Sequence, residues 1–122
     1  MSAEPLIAIV DDDPSALDAM AALARALGFG VVAYSSAEDF IASGDARRIA
    51  CLVADVQMPG MTGLELCAAL AADGLAVPTV LVSAHSSDVV ERQAYRAGAR
   101  WYLAKPFRPD DLVACIRAAC GA

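Results

Sequence analysis

Four short apolar runs, at residues 6–10, 51–54, 79–82 and 101–104, do not alternate with polar residues. A run of four or five residues is too short for a helix, and without alternation it has no side meant for water. Three of the four are rich in Val, Leu or Ile. Strands of a parallel sheet covered by helices on both faces read this way. Residues 31–34 form a weaker fifth candidate, suited to a sheet edge.

Helical stretches separate the runs. Pro14 fits the first turn of a helix reaching about Leu27, with Leu17, Met20, Leu23, Ala24 and Leu27 at helical spacing and Gly28 placed to end it. Ser35 followed by Glu38 reads as a capping box for a short helix over residues 37–42. A third helix follows Gly63, using Leu64, Cys67, Ala68 and Leu70, and a fourth spans residues 87–97 before Gly98. The fifth follows Pro109 and turns Leu112, Val113, Ile116 and Ala119 inward. Five strand-then-helix units, joined by right-handed crossovers, give an α/β fold. It is a (βα)5 doubly wound five-stranded parallel sheet, a flavodoxin-like three-layer sandwich. With 122 residues and no linker or internal repeat, the chain is expected to be one domain over residues 1–122.

A net charge of −6 argues against direct nucleic-acid binding, which calls for a basic face. No apolar run approaches the roughly 20 residues that span a bilayer, and no charged-then-apolar leader is visible, so the expected location is cytoplasmic. The four cysteines, Cys51, Cys67, Cys115 and Cys120, lack metal-ligand spacing. They read as small core residues in a reducing compartment, with Cys120 near the surface.

In an open parallel sheet the functional crevice lies beyond the carboxyl ends of the strands. Here the first strand runs into Asp11 and Asp12, the third into Asp55, the fourth into Ser83 and the fifth into Lys105. Three carboxylates, a hydroxyl and an ammonium should therefore meet on one rim. Carboxylates this close raise one another's pKa unless a cation joins them. Hard oxygen donors with open positions favour Mg²⁺, which also neutralises the oxygens of a phosphoryl group in transfer. One carboxylate can then attack phosphorus to give an acyl phosphate, with Lys105 pairing one phosphate oxygen and Ser83 donating to another.

The chain resembles the receiver domain of bacterial two-component response regulators over its whole length. The matching pieces are IVDDDPS at 9–15, LVADVQMPGMTGLEL at 52–66, VLVSAH at 80–85 and GARWYLAKPF at 98–107. Their flavour is that of the FixJ-type transcriptional regulators. The resemblance implies that Asp55 takes a phosphoryl group from a sensor histidine kinase or phosphotransfer protein. It implies Mg²⁺ bound by Asp12, Asp55 and the backbone carbonyl of Gln57, with Asp11 acting mainly through a water. Ser83 and Lys105 would sense the phosphate, and Tyr102 would be the aromatic switch that moves with the Ser83 hydroxyl. Gln57 and His85 stand two residues beyond Asp55 and Ser83, where this family tunes the phosphate's lifetime; His85 reads equally as a plain loop residue. The resemblance further implies a cis Lys105–Pro106 bond and a flexible turn at residues 60–63. Arg92, Arg96, Arg100 and Arg108, with Asp88, Glu91, Asp110 and Asp111, lie on the fourth-helix, fifth-strand and fifth-helix face through which receivers homodimerise. Asp13 reads as a solvated helix-start residue. Trp101 and Tyr102, adjacent on a strand, should face opposite sides, with Trp101 in packing or at an interface.

Other readings fit less well. A haloacid-dehalogenase-like phosphatase needs a second aspartate two residues after its nucleophile, and Gln57 stands there. A flavodoxin-like FMN module would need a first turn that welcomes phosphate, whereas DDDPS repels it. A degenerate receiver would have lost part of the acidic pair, Asp55, Ser83 or Lys105. The expected activity is that of a signalling switch, with at most Mg²⁺-dependent autophosphorylation and self-dephosphorylation, and not that of a metabolic enzyme.

Overall fold

Every strand pairing in the computed structural model, which describes residues 5–121, is parallel. The strands are β1 (Leu6–Val10), β2 (Gly30–Tyr34), β3 (Cys51–Asp55), β4 (Thr79–Ser83) and β5 (Trp101–Ala104). They alternate with α1 (Pro14–Ala26), α2 (Ala37–Ser43), α3 (Gly63–Ala72), α4 (Asp88–Ala97) and α5 (Pro109–Ala119). The sheet order is β2-β1-β3-β4-β5, so β2 is an edge strand as its weaker pattern suggests. The chain direction across the sheet reverses between β1 and β3. The crevice of a doubly wound sheet opens at that reversal.

Burial explains why the strands do not alternate. On one face Ala8, Val10, Leu52, Ala54 and Leu81 pack with Phe40 of α2, Leu66, Cys67 and Leu70 of α3, and Ala94 of α4. On the other, Ile7, Ile9, Cys51, Val53, Val80 and Val82 pack with Met20, Ala21 and Ala24 of α1 and Leu112, Cys115 and Ile116 of α5. Two helical layers thus enclose the sheet. Removing Phe40 from water alone contributes roughly 2–3 kcal/mol.

Local details differ from the sequence reading where helix phase decides them. In α3 the buried residues are Gly63, Leu66, Cys67 and Leu70, whereas Ala68 is exposed. In α5, Cys115 is buried in place of Val113, which is half-buried. Helix α2 is capped by Ser36, not Ser35: the Ser36 side chain accepts from the Asp39 amide, one residue later than the capping-box spacing suggests. The chain's capping box lies instead at α3, where Thr62 and Glu65 each accept the other's backbone N–H. A short 3-10 turn at Asp45–Arg47, invisible in the apolar pattern, follows α2. Cys51, Cys67 and Cys115 are buried and Cys120 half-buried, all four as free thiols. Burial pushes the Cys51 thiol up to about 12, so it stays protonated.

Gly63 joins this framework to the crevice. Its N–H donates to the Val56 carbonyl at 3.1 Å, which draws the first turn of α3 against the end of β3. A Cβ at Gly63 would press into the Asp55 carbonyl and crowd Val56 Cα. Both opposing atoms are backbone and have no rotamer with which to yield. Gly63→Ala is therefore expected to cost about 1–3 kcal/mol, read as a lowered urea midpoint. An unchanged midpoint would show that the turn relaxes freely.

Candidate functional site

Strand register brings the polar residues to one level. Val10 pairs with Ala54, so Asp11 emerges beside Asp55; Ser83 pairs with Ala104, which sets Lys105 next to the end of β4. A Lys105 N–H···O=C bond to Ser83 at 2.8 Å continues the ladder one step beyond β5. The Lys105–Pro106 peptide bond is cis, as the resemblance implies.

Lys105 Nζ lies 3.0 Å from Asp11 Oδ2 and 3.4 Å from Asp55 Oδ2. Asp11 is fully buried, and its other oxygen accepts the Asp13 amide at 2.9 Å. Asp55 is 6% exposed and accepts the Gln57 amide on Oδ1 at 3.2 Å. Asp12 is exposed, and Asp13 caps α1 by accepting the Ser15 amide at 3.1 Å. The carboxylates of Asp11, Asp12 and Asp55 each offer an oxygen within 4.8 Å of the other two. This donor set, with one member open to solvent, suits a hard divalent cation that keeps several waters.

Burial, followed by the neighbouring Asp11 charge, raises the Asp55 pKa above its ordinary value despite the pull of Lys105 and the Gln57 amide. Burial pulls the Lys105 pKa down, but its hydrogen bonds and charge contacts with Asp11 and Asp55 outweigh this and raise it. The lysine therefore stays charged, and the site carries two buried carboxylates on one ammonium.

Ser83 is fully buried and donates its hydroxyl proton to Gln57 Oε1 at 2.8 Å, while its Oγ accepts the His85 amide at 3.2 Å. His85 is exposed and meets Ser83 through its backbone. Tyr102 donates its hydroxyl proton to Ser86 Oγ at 2.7 Å, along the loop after β4. Its ring packs with the α2–α3–α4 layer and that of Trp101 with the α1–α5 layer, on opposite faces as expected. Glu38 belongs to the site's surroundings although only a capping role was read for it. Its carboxylate accepts the Met61 amide at 3.0 Å and ties α2 to the loop after β3. That amide lowers the Glu38 pKa. Residues 23 apart carry no spacing signal, so this bond could not be read from the sequence.

The comparisons with known proteins agree with this geometry. Residues 7–117 match the family described as the response regulator receiver domain. The chain belongs to that family. It is 39% identical to response regulator protein TmoT of Ectopseudomonas mendocina over 116 residues, covering 95% of this chain and 53% of that protein. It is 33% identical to the transcriptional regulatory protein FixJ of Azorhizobium caulinodans, covering 93% of this chain and 54% of that one. The chain thus spans about half the length of these relatives. The crystal structure of FixJ-N superposes with a TM-score of 0.88 at 30% identity, covering 98% of this chain and 96% of that one. The protein is a receiver domain of the two-component kind, a signalling switch and not a classical enzyme. None of its helices, among the described residues, is long and apolar enough to cross a membrane.

The Asp55 shift fixes the sign of one pH effect in this receiver. With a folded-state pKa above the unfolded one, ionised Asp55 opposes folding at neutral pH, and the penalty fades as pH falls through the folded value toward 3.8. In metal-free buffer Asp55→Asn should melt a few degrees above the wild type at pH 7. The gap should close on acidification toward pH 4 in thermal melts.

Proposed function

We propose that this receiver domain takes a phosphoryl group on Asp55 and relays its presence through Ser83 and Tyr102. The observation that carries this reading is the Lys105 ammonium shared between Asp11 and Asp55, beside a third carboxylate on Asp12. The donor is a phosphohistidine of a sensor kinase or phosphotransfer protein in the cytoplasm. An Asp55 oxygen attacks phosphorus, the P–N bond breaks, and its electron pair returns to the imidazole. Desolvation, which raises the Asp55 pKa, also leaves its oxygens more basic and a better nucleophile for that attack.

Mg²⁺ fits the carboxylate set: Asp12, Asp55 and the Gln57 backbone carbonyl would hold it, with Asp11 acting mainly through a water. Bound there, it would neutralise the oxygens of the transferring group. Of the two buried carboxylates Asp11 is held the more tightly, 3.0 Å from Lys105 and 2.9 Å from the Asp13 amide against 3.4 Å from Lys105 and 3.2 Å from the Gln57 amide for Asp55, which supports its acting through a water. Asp12, exposed and next in sequence, is free to turn toward an ion. Once Asp55 is phosphorylated, Lys105 pairs with a phosphate oxygen and Ser83 donates to another. Gln57, whose amide donates to Asp55, and His85, whose amide donates to Ser83, tune how long the acyl phosphate survives. The movement of Ser83 frees space for the Tyr102 ring, and the receiver shifts between two conformers.

Acetyl phosphate or beryllofluoride with Mg²⁺ tests the acceptor. The wild type should gain one phosphoryl group by intact mass, or shift its amide spectrum with beryllofluoride, and Asp55→Asn should do neither. An Asp55→Asn protein that responds like the wild type sinks the assignment.

The domain's output is proposed to pass through a homodimer on the α4–β5–α5 face, not through direct contact with nucleic acid or membrane. Arg92, Arg96, Arg100 and Arg108 are exposed there among Asp88, Glu91, Asp110 and Asp111. Val89 and Tyr95, 54% and 47% exposed, add apolar area on α4. Such charges set register and partner choice more than raw affinity. Arg92→Glu or Asp110→Arg should weaken a beryllofluoride-induced dimer about tenfold or more in sedimentation experiments, and the two together should restore part of it. Unchanged sedimentation in both single variants would remove this face from the interface.

A further inference from the structure

Gln57 touches both ends of the phosphate site at once. Its backbone amide donates to Asp55 Oδ1 at 3.2 Å, and its side-chain Oε1 accepts the Ser83 hydroxyl at 2.8 Å. The second bond is shielded, since Ser83 is fully buried and Gln57 half-buried. Shielded hydrogen bonds are stronger electrostatically than the same pair in water.

A serine hydroxyl has one proton to donate. In this structure that proton goes to Gln57, while the His85 amide, at 3.2 Å, occupies an acceptor position on the same oxygen. The hydroxyl cannot donate to a phosphate on Asp55 without letting go of the amide. Lys105 has no such conflict, because its ammonium carries three protons and already faces Asp55. The cost of switching therefore falls on Ser83.

We infer that the Gln57 side chain is a latch that holds the Ser83 hydroxyl in the unphosphorylated position, so that it sets how readily Asp55 phosphorylation is read. This rests on Asp55 as the acceptor, and it gives Gln57 a role separate from guarding the acyl phosphate against water. Gln57 is a positioning residue here. Its side chain acts on Ser83, and its backbone carbonyl stays in place when the side chain is changed. The latch biases the resting conformer by the strength of one shielded hydrogen bond.

Beryllofluoride with Mg²⁺ is the probe, because it occupies the acceptor as a phosphoryl mimic without a hydrolysis step. Gln57→Met keeps the length of the side chain and removes the acceptor. It should bind beryllofluoride roughly three- to tenfold tighter than the wild type. In a Ser83→Ala background, where no hydroxyl is held, the same substitution should change affinity less than twofold. That non-additivity is the signature of the latch, because a general loosening of the loop would act in both backgrounds. Gln57→Ala repeats the cycle without the bulk of methionine, and far-UV circular dichroism checks that each variant is folded. Binding that is unchanged or weaker in Gln57→Met and Gln57→Ala overturns the latch, as does an equal gain with and without the Ser83 hydroxyl. A wild type that takes up no beryllofluoride overturns the acceptor reading itself, so the two failures are distinguishable.

Discussion

The Lys105 ammonium lies between two carboxylates that would otherwise force each other apart. Asp11 is wholly buried and Asp55 nearly so, and two charges of one sign in such surroundings repel strongly and are costly to desolvate. The lysine reaches both from the end of β5, two strands away from β3, over the rim of β4. It ties β1, β3 and β5 electrostatically at the level where they finish. A phosphoryl group or a divalent cation arriving at Asp55 must enter this balance and redistribute it. Charge chemistry and strand geometry are one problem at this rim.

The geometry depends on the apolar layers below. Because both faces of the sheet are covered, residues 6–10, 51–54 and 80–82 are apolar at successive positions. Thr79 opens β4 buried, with its hydroxyl donating to the Val77 carbonyl, and toward the other end the first polar side chain comes where a strand ends. Asp55 and Ser83 are the last residues of their strands, and Asp11 and Lys105 are the first beyond theirs. The parallel register brings those four to the same height. The reversal in strand order at β1 and β3 leaves room beside them.

This explains how much was legible in the sequence. The strands and the family motifs could be read because burial on both faces writes itself as uninterrupted apolar runs, each closed by a polar residue. The converging set of Asp11, Asp12, Asp55, Ser83 and Lys105 followed from that pattern and the parallel topology. What could not be read depends on single rotamers and on contacts across the fold. Ser35 and Ser36 offer nearly the same cap, and only the backbone path of α2 chooses Ser36. The hold of Gln57 on Ser83, 26 residues away, and that of Glu38 on Met61 have no local spacing to betray them. Nor does the sequence say that Asp11 is buried while Asp12 beside it is exposed. Local rules find elements and their ends; they do not find which side chain answers which.

Adjacent residues on β5 belong to different layers, Tyr102 with α2, α3 and α4, and Trp101 with α1 and α5. Trp101 is the chain's single tryptophan, and the Arg100 guanidinium lies 6.0 Å from the centre of its ring. The molecule thus carries an optical gauge on the far side of the sheet from the tyrosine it would be asked to follow. Rotation of Tyr102 about its own side-chain bonds leaves the indole's surroundings intact. A change in Trp101 emission would report displacement of the strand itself, and so would separate a moving ring from a moving backbone.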